Sequence, residues 1–519
     1  TTEQLNPVKG YADHISDLEK DNPDLVLPDD YLSKANAEVS TVIGDTEKVP
    51  EVWSVDDISL DHIPSSHRPK YERLMKKYKH IFSTNSWDIG CTDLLTVKLD
   101  TTRIPTSQKQ RHIPASKMPF VHKAIEELKG AGIIKKVNSW DSVSNIILVP
   151  KYKSVRFSTK ASNIRADESQ IRAYRMCIDL RDLNQTLSIK CPSLSKLPEN
   201  IIRPLANQLV TNLDVTQAYF SIPLDKDSQG LTSFFVDNAV CCFLRLSQGL
   251  LISPRAYEIF NTIVYDDKLL EIAHNTIEPD LGLNFDVPLS YADFIQVYQD
   301  DSWLHSDMDF SLHLYLLHLQ FAAISRSGLK LSPGKCKIAR TEVTVLGLNI
   351  DTANAHLGMD ILKSQSILSW PDPSSLYELH SRLYSLLYYS KFLPKVKQIC
   401  LPLQDLLRRK EFVWGPRQKQ AWEEIKTLII LDIRLYIPHE SDQLYLFCDA
   451  SKVSCACILA VQRQGSLKIV GTDSTIFNYS DSLKSPFVKE AIGLVRGLKK
   501  FKAYIGASTK TLIVFTDCR

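Results

Sequence analysis

Ile-Gln-Val-Tyr-Gln-Asp-Asp-Ser-Trp-Leu-His-Ser, residues 295–306, joins two short apolar runs through an acidic pair. Ile295, Val297 and Tyr298 precede Asp300 and Asp301, and Trp303 and Leu304 follow. Two such runs around a polar turn predict a β-hairpin with both carboxylates at its tip. Taken alone, an Asp-Asp pair is ordinarily a solvated turn. The stretch Gln208–Asp214 alters that reading, because it predicts another strand, ending on Asp214. If the strands are neighbours, carboxylates from separate segments converge. A two-metal phosphoryl-transfer site requires that arrangement: one ion lowers the pKa of an attacking hydroxyl and the other neutralises a triphosphate and its leaving group. Hard oxygen donors of this kind favour Mg²⁺.

Working outward, 519 residues with 44% apolar content predict several domains around sizeable cores. No run of uncharged apolar residues is long enough to span a membrane. The chain starts without Met and without an apolar signal core, which suggests a segment of a longer precursor. The eleven Cys lack zinc-ligand spacing and read as reduced core thiols. Net charge is only +2, but residues 1–64 hold 15 Asp/Glu and 4 Lys, leaving +13 on the remainder. An acidic leader on a basic body fits a polyanion binder.

The leader, 1–64, reads as partly disordered, with order starting near Pro69. A helix is predicted from Met118 to the glycines at 130 and 132. Strands over 145–149 and 174–180 flank a polar loop, 154–173, and resemble a flap with a basic tip. Further strands are expected at Cys241–Leu246, Phe294–Tyr298 and Ser302–His305, with helices over Pro254–Leu270 and Asp309–Ser327. Residues 330–350 read as a strand pair. A second α/β unit opens at Gln443–Ala460, followed by a helix over 486–504 and a strand over 511–516.

In this order the chain resembles the reverse transcriptases of retroviruses and LTR retrotransposons, most of all the gypsy (metavirus) group. Tyr298-Gln-Asp-Asp301 is similar to the Tyr-x-Asp-Asp box. Leu213-Asp214 through Tyr219 and Ile222-Pro-Leu224, Tyr174-Arg-Met-Cys-Ile-Asp-Leu-Arg-Asp-Leu-Asn184, Ser247-Gln-Gly249 with Ser253-Pro254, and Lys335-Cys336 with Val345-Leu-Gly347 match further boxes. The resemblance implies that Asp214, Asp300 and Asp301 hold two Mg²⁺, with Mn²⁺ as the alternative. It implies that Tyr219 is a steric gate against the ribonucleotide 2′-OH, that Arg175 and Lys151 grip the triphosphate, and that Gln248, Gly249, Tyr298 and Gln299 border the nucleotide. The strand pair near 331–350 is the implied primer grip. Three departures stand out: Gln299 fills a slot usually small or apolar, Ser247 replaces a proline, and the flap is long.

Phe447-Cys-Asp449-Ala-Ser451, Glu490 and Asp517 resemble a retroelement ribonuclease H site, which implies a second pair of metal ions acting on RNA in an RNA–DNA hybrid. The family continues beyond this point with another Asp and a closing helix, whereas the sequence ends at Arg519, so this site reads as C-terminally incomplete. Trp370-Pro-Asp-Pro373, Tyr388 to Pro394, Pro402 to Leu407 and Phe412-Val-Trp414 resemble the connection region.

The expected fold is therefore α+β: a right hand of fingers and palm (65–350), a thumb and connection region (351–440), and an α/β ribonuclease H-like domain (441–519). The expected partners are an RNA template, a DNA primer or RNA–DNA hybrid, and deoxynucleoside triphosphates. A homodimer and a capsid particle in the cytoplasm are compatible with the resemblance. The rival expectation is a non-catalytic nucleic-acid-binding derivative.

Overall fold

The computed structural model describes residues 52–152, 171–188, 206–283, 285–393, 396–463 and 465–517, apart from the side chains at 150–152, 171–173, 175, 280 and 397. The architecture is α+β. The first strands are β1 (Ile134–Val137), β2 (Val143–Ser144), β3 (Ile146–Tyr152) and β4 (Ile171–Ile178); β5 is Gln208–Asp214, β6 Ser233–Val236 and β7 Ala239–Phe243. Then come β8 (Ile295–Tyr298), β9 (Asp301–Asp307) and β10 (Lys337–Arg340).

The decisive sheet has the order β10-β5-β9-β8 and is antiparallel throughout. The helix Phe310–Ser327 packs behind it. Asp309 caps this helix by accepting from the Ser311 and Leu312 amides, and Gly328 ends it in a left-handed conformation at φ 70°. Most of the helix is buried, with Leu314, Leu317, Leu319 and Phe321 in the largest core. A second sheet, β1-β7-β6-β2, and the ribbon of β3 and β4 lie on the N-terminal side.

Four strands, β11 (Glu342–Val345), β12 (Leu348–Asp351), β13 (His356–Met359) and β14 (Leu435–Tyr436), form a third sheet. It shares a second core with the helices Leu376–Tyr388, Leu401–Arg409 and Pro416–Ile430. The last sheet has the order β17-β16-β15-β18, from β15 (Leu444–Ala450), β16 (Ser454–Arg463), β17 (Ser466–Ile476) and β18 (Ile513–Phe515). Only β15 and β18 run parallel there. No helix among the described residues is long and apolar enough to cross a membrane.

Several sequence expectations need correction. The helix expected over Pro254–Leu270 stops at Val264, because Asp266 caps a new 3₁₀ turn that leads into Leu270–His274. The strand expected from Tyr174 begins at Ile171; of the polar loop 154–173, residues 154–170 lie outside the described residues. Residues 330–350 are not one strand pair: β10 joins β5, whereas β11 and β12 belong to the third sheet. Order begins earlier than Pro69. Val55, Ile58 and Ile63 are buried in the first core, and His62 Nε2 lies 2.9 Å from the Ile338 carbonyl of β10. Residues 1–51 of the acidic leader lie outside the described residues.

Candidate active site

The first carboxylate site follows from strand register. Asp214 ends β5 directly opposite Asp301, the first residue of β9. Tyr298 also pairs with Asp301, so Gln299 and Asp300 form the hairpin turn, with Gln299 at φ 57°. Asp300 is therefore at the tip, while Asp301 belongs to the strand proper. Burial raises the pKa of Asp300, and the charge of Asp214 raises it further. Burial pushes Asp301 up to about 6, helped by Asp300 and Asp214. Asp300 and Asp301, each raised by burial and by the charge of Asp214, form with it a hard-oxygen donor set suited to divalent cations.

Lys335 is a member of this site that sequence reasoning did not assign. Its ammonium lies 3.2 and 3.4 Å from the two Asp214 carboxylate oxygens. The Ser332 amide donates to the Asp214 carbonyl at 2.9 Å, anchoring the short turn that carries Lys335. The Lys335-Cys336 pair was visible in the sequence, but nothing local connected it to Asp214.

Tyr219 sits on the 3₁₀ turn Ala218–Ser221, which follows Gln217 in a left-handed conformation at φ 49°. Its hydroxyl donates to Gln299 Oε1 at 2.7 Å, and its ring meets Tyr257 edge-on at 5.7 Å. Burial, then the Asp300 charge, raises the phenol pKa, so the hydroxyl remains a donor. Tyr298 is half-buried and packs against the second core.

Gly249, at φ 91°, is tied to Asn184: its carbonyl accepts from Asn184 Nδ2 at 2.9 Å, and Asn184 Oδ1 accepts from the Leu251 amide at 2.8 Å. Gln248, half-buried, is carried on this clamped loop. Ser247, where a proline was expected, is fully buried and its hydroxyl has no hydrogen-bond partner. Arg175 and Lys151 occupy the ribbon, where Arg175 pairs with Val149 and Lys151 with Ala173; their side chains lie outside what is described.

The second site joins Asp449 on β15, Glu490 on the helix Pro486–Lys500 and Asp517 just after β18. Their ligand oxygens all lie within 4.8 Å of one another, and this is the one such trio among the described residues. The Ala450 amide donates to Glu490 Oε1 at 2.8 Å, and the Thr516 hydroxyl to Oε2 at 3.3 Å. Burial raises the Glu490 pKa, as do the charges of Asp517 and Asp449. Gly493 and Gly497 bring that helix onto the sheet: a Cβ on Gly497 would lie 3.2 Å from Cys457 Cβ.

Comparison with known proteins agrees with this division. Residues 160–350 match the family model "Reverse transcriptase (RNA-dependent DNA polymerase)", and residues 414–513 match "RNase H-like domain found in reverse transcriptase". The chain is 25% identical over 452 residues to the retrovirus-related Pol polyprotein from transposon 297 of Drosophila melanogaster, covering 86% of this chain and 38% of that protein. It is 22% identical over 410 residues to the transposon Tf2-3 polyprotein of Schizosaccharomyces pombe, covering 78% and 27%. The chain thus spans well under half the length of these relatives. Among solved structures, foamy viral protease-reverse transcriptase is similar in fold. In its complex with double-stranded DNA the TM-score is 0.67 at 22% identity, over 89% of this chain and 73% of that one. In its complex with an RNA/DNA hybrid the TM-score is 0.66 at 22% identity, over 89% and 56%.

Proposed function

We propose that this chain, which carries a reverse transcriptase domain followed by an RNase H-like domain, extends a DNA primer on an RNA or DNA template. The observation that carries this reading is the pairing of Asp214 on β5 with Asp301 on β9, with Asp300 in the adjoining turn. In the reaction the primer 3′-oxygen bonds to the α-phosphorus of a deoxynucleoside triphosphate, and the bond to the β-phosphate oxygen breaks in line with it. Pyrophosphate leaves, and the hydroxyl proton passes to solvent. Two divalent cations, Mg²⁺ by the hardness of the donors, supply charge neutralisation and a lowered hydroxyl pKa when bound.

The chain's own residues supply position. Asp214, Asp300 and Asp301 fix where positive charge collects, and Lys335 offsets the Asp214 charge. Tyr219 walls off the sugar 2′ position, Arg175 and Lys151 hold the triphosphate, and the Asn184-clamped loop of Gln248 and Gly249 supports the nucleotide. Asp449, Glu490 and Asp517 serve hydrolysis of RNA in the product hybrid. The duplexes bound by the foamy viral enzyme support a duplex substrate here.

Primer extension on a primed RNA template, with Mg²⁺ and Mn²⁺ varied, tests the reading. Asp300→Asn keeps the turn but removes a ligand charge, and activity is expected to fall roughly a thousandfold. Equal extension by the wild type and Asp300→Asn refutes it.

A further inference from the structure

Gln299 is held on two sides. Its carbonyl accepts from Asn261 Nδ2 at 3.1 Å, and its side-chain Oε1 accepts from the Tyr219 hydroxyl at 2.7 Å. Asn261 belongs to the helix Ser253–Val264, which also carries Tyr257. Tyr257 is 1% exposed and meets the Tyr219 ring edge-on, at 79° between planes. One helix thus positions both the residue that grips the phenol tip and the ring that supports its face. A tyrosine has two side-chain torsions; packing restricts them, and a bond at the tip removes the remaining swing.

Resting on the polymerase reading above, we propose that Gln299 is a specificity-determining positioning residue: by binding the Tyr219 hydroxyl it fixes the wall that excludes a ribose 2′-OH. The chemistry suits the position. An unbranched amide reaches the phenol and accepts its hydrogen bond, whereas an apolar side chain offers no acceptor. A β-branched one would also be strained at the positive φ of this turn. The half-buried phenol keeps its proton, so it serves as a donor throughout the neutral range.

The test compares kcat/KM for a deoxynucleotide and the matching ribonucleotide on a primed RNA template. It uses the full chain as wild type, Gln299→Met, Tyr219→Phe and the double variant. Met keeps the length without a β-branch. Each ratio comes from one preparation, so the folded fraction cancels. Each single variant is expected to lower the preference for deoxynucleotide by about 3–10-fold, the worth of one hydrogen bond. The double variant is expected to lose no more than the single variants, because both remove the same bond. An unchanged ratio in either single variant overturns the inference, and so do losses that multiply in the double variant. If the wild type extends the primer with neither nucleotide, the reaction itself is wrongly assigned and the inference falls with it. An unchanged ratio or multiplying losses, in an enzyme that does extend the primer, overturn the inference alone.

Discussion

His313 shows how a single side chain couples the core behind the carboxylates to pH. It is fully buried, with Nε2 2.7 Å from the Thr211 hydroxyl of β5 and Nδ1 2.8 Å from the Ser306 hydroxyl of β9. Burial, then the nearby His305, pushes its pKa down to about 3. In the unfolded chain the ring titrates near its ordinary value of about 6.5. Above that pH both states are neutral and the stability is fully present. Below it the unfolded chain binds a proton that the folded chain refuses, so stability falls at up to about 1.4 kcal/mol per pH unit. Urea unfolding at pH 7.5 and pH 5.0 checks this. The wild type is expected to lose about 2 kcal/mol more than His313→Gln across that interval, and equal losses would show that His313 is not the titrating group.

Among elements, the helix Pro486–Lys500 is the one whose placement depends most visibly on small residues. It sets Glu490 against Asp449 and Asp517, and Gly497 gives it contact with β16 and Leu446 of β15. Gly497→Ala forces a Cβ to within 3.2 Å of Cys457 Cβ and 3.3 Å of Leu446 Cδ1. It is expected to cost about 1–3 kcal/mol, as overpacking does. Gly506, in the helix Lys502–Ala507, has nothing within 4 Å of a built Cβ. Gly506→Ala is therefore expected to stabilise by up to about 1 kcal/mol through helix propensity. Opposite signs in denaturant midpoints support the packing account; two changes of the same sign contradict it. The helix was legible in the sequence as the one expected over 486–504, although it ends at Lys500 and a separate helix follows. Its closeness to the sheet was not, because a glycine in a helix does not reveal what lies across from it.

At the scale of the whole molecule, the N-terminal stretch and the carboxylate sheet are one structure. Val55, Ile58 and Ile63 lie in the first core with Leu213 and Ile338, and His62 reaches the carbonyls of Ile338 and Ala339. A chain starting at residue 52 should keep this packing, whereas one starting at 65 loses three buried aliphatic side chains. At about 1.5–3 kcal/mol for each fully buried side chain, discounted for partial reburial, the second truncation is expected to lose roughly 3–6 kcal/mol relative to the first. Equal urea midpoints for the two would show that residues 52–64 do not support the core.

The sequence by itself placed three acids at strand ends and at a turn, and marked out the strands that carry them. Asp214, Asp300 and Asp301 stand where apolar period-2 runs meet turns, and Gln208–Asp214 is the strand that its side chains predict. Such signals are local, since strand and turn preferences arise from a residue and its near neighbours. Only the tertiary structure decided what surrounds those acids. Gln299 meets Tyr219 across 80 positions, Lys335 meets Asp214 across 121, and His62 meets Ile338 across 276. It also separated β10 from β11 and split the helix expected over Pro254–Leu270. Contacts of that range depend on how whole layers close and pack, a collective free energy that no short stretch of sequence contains.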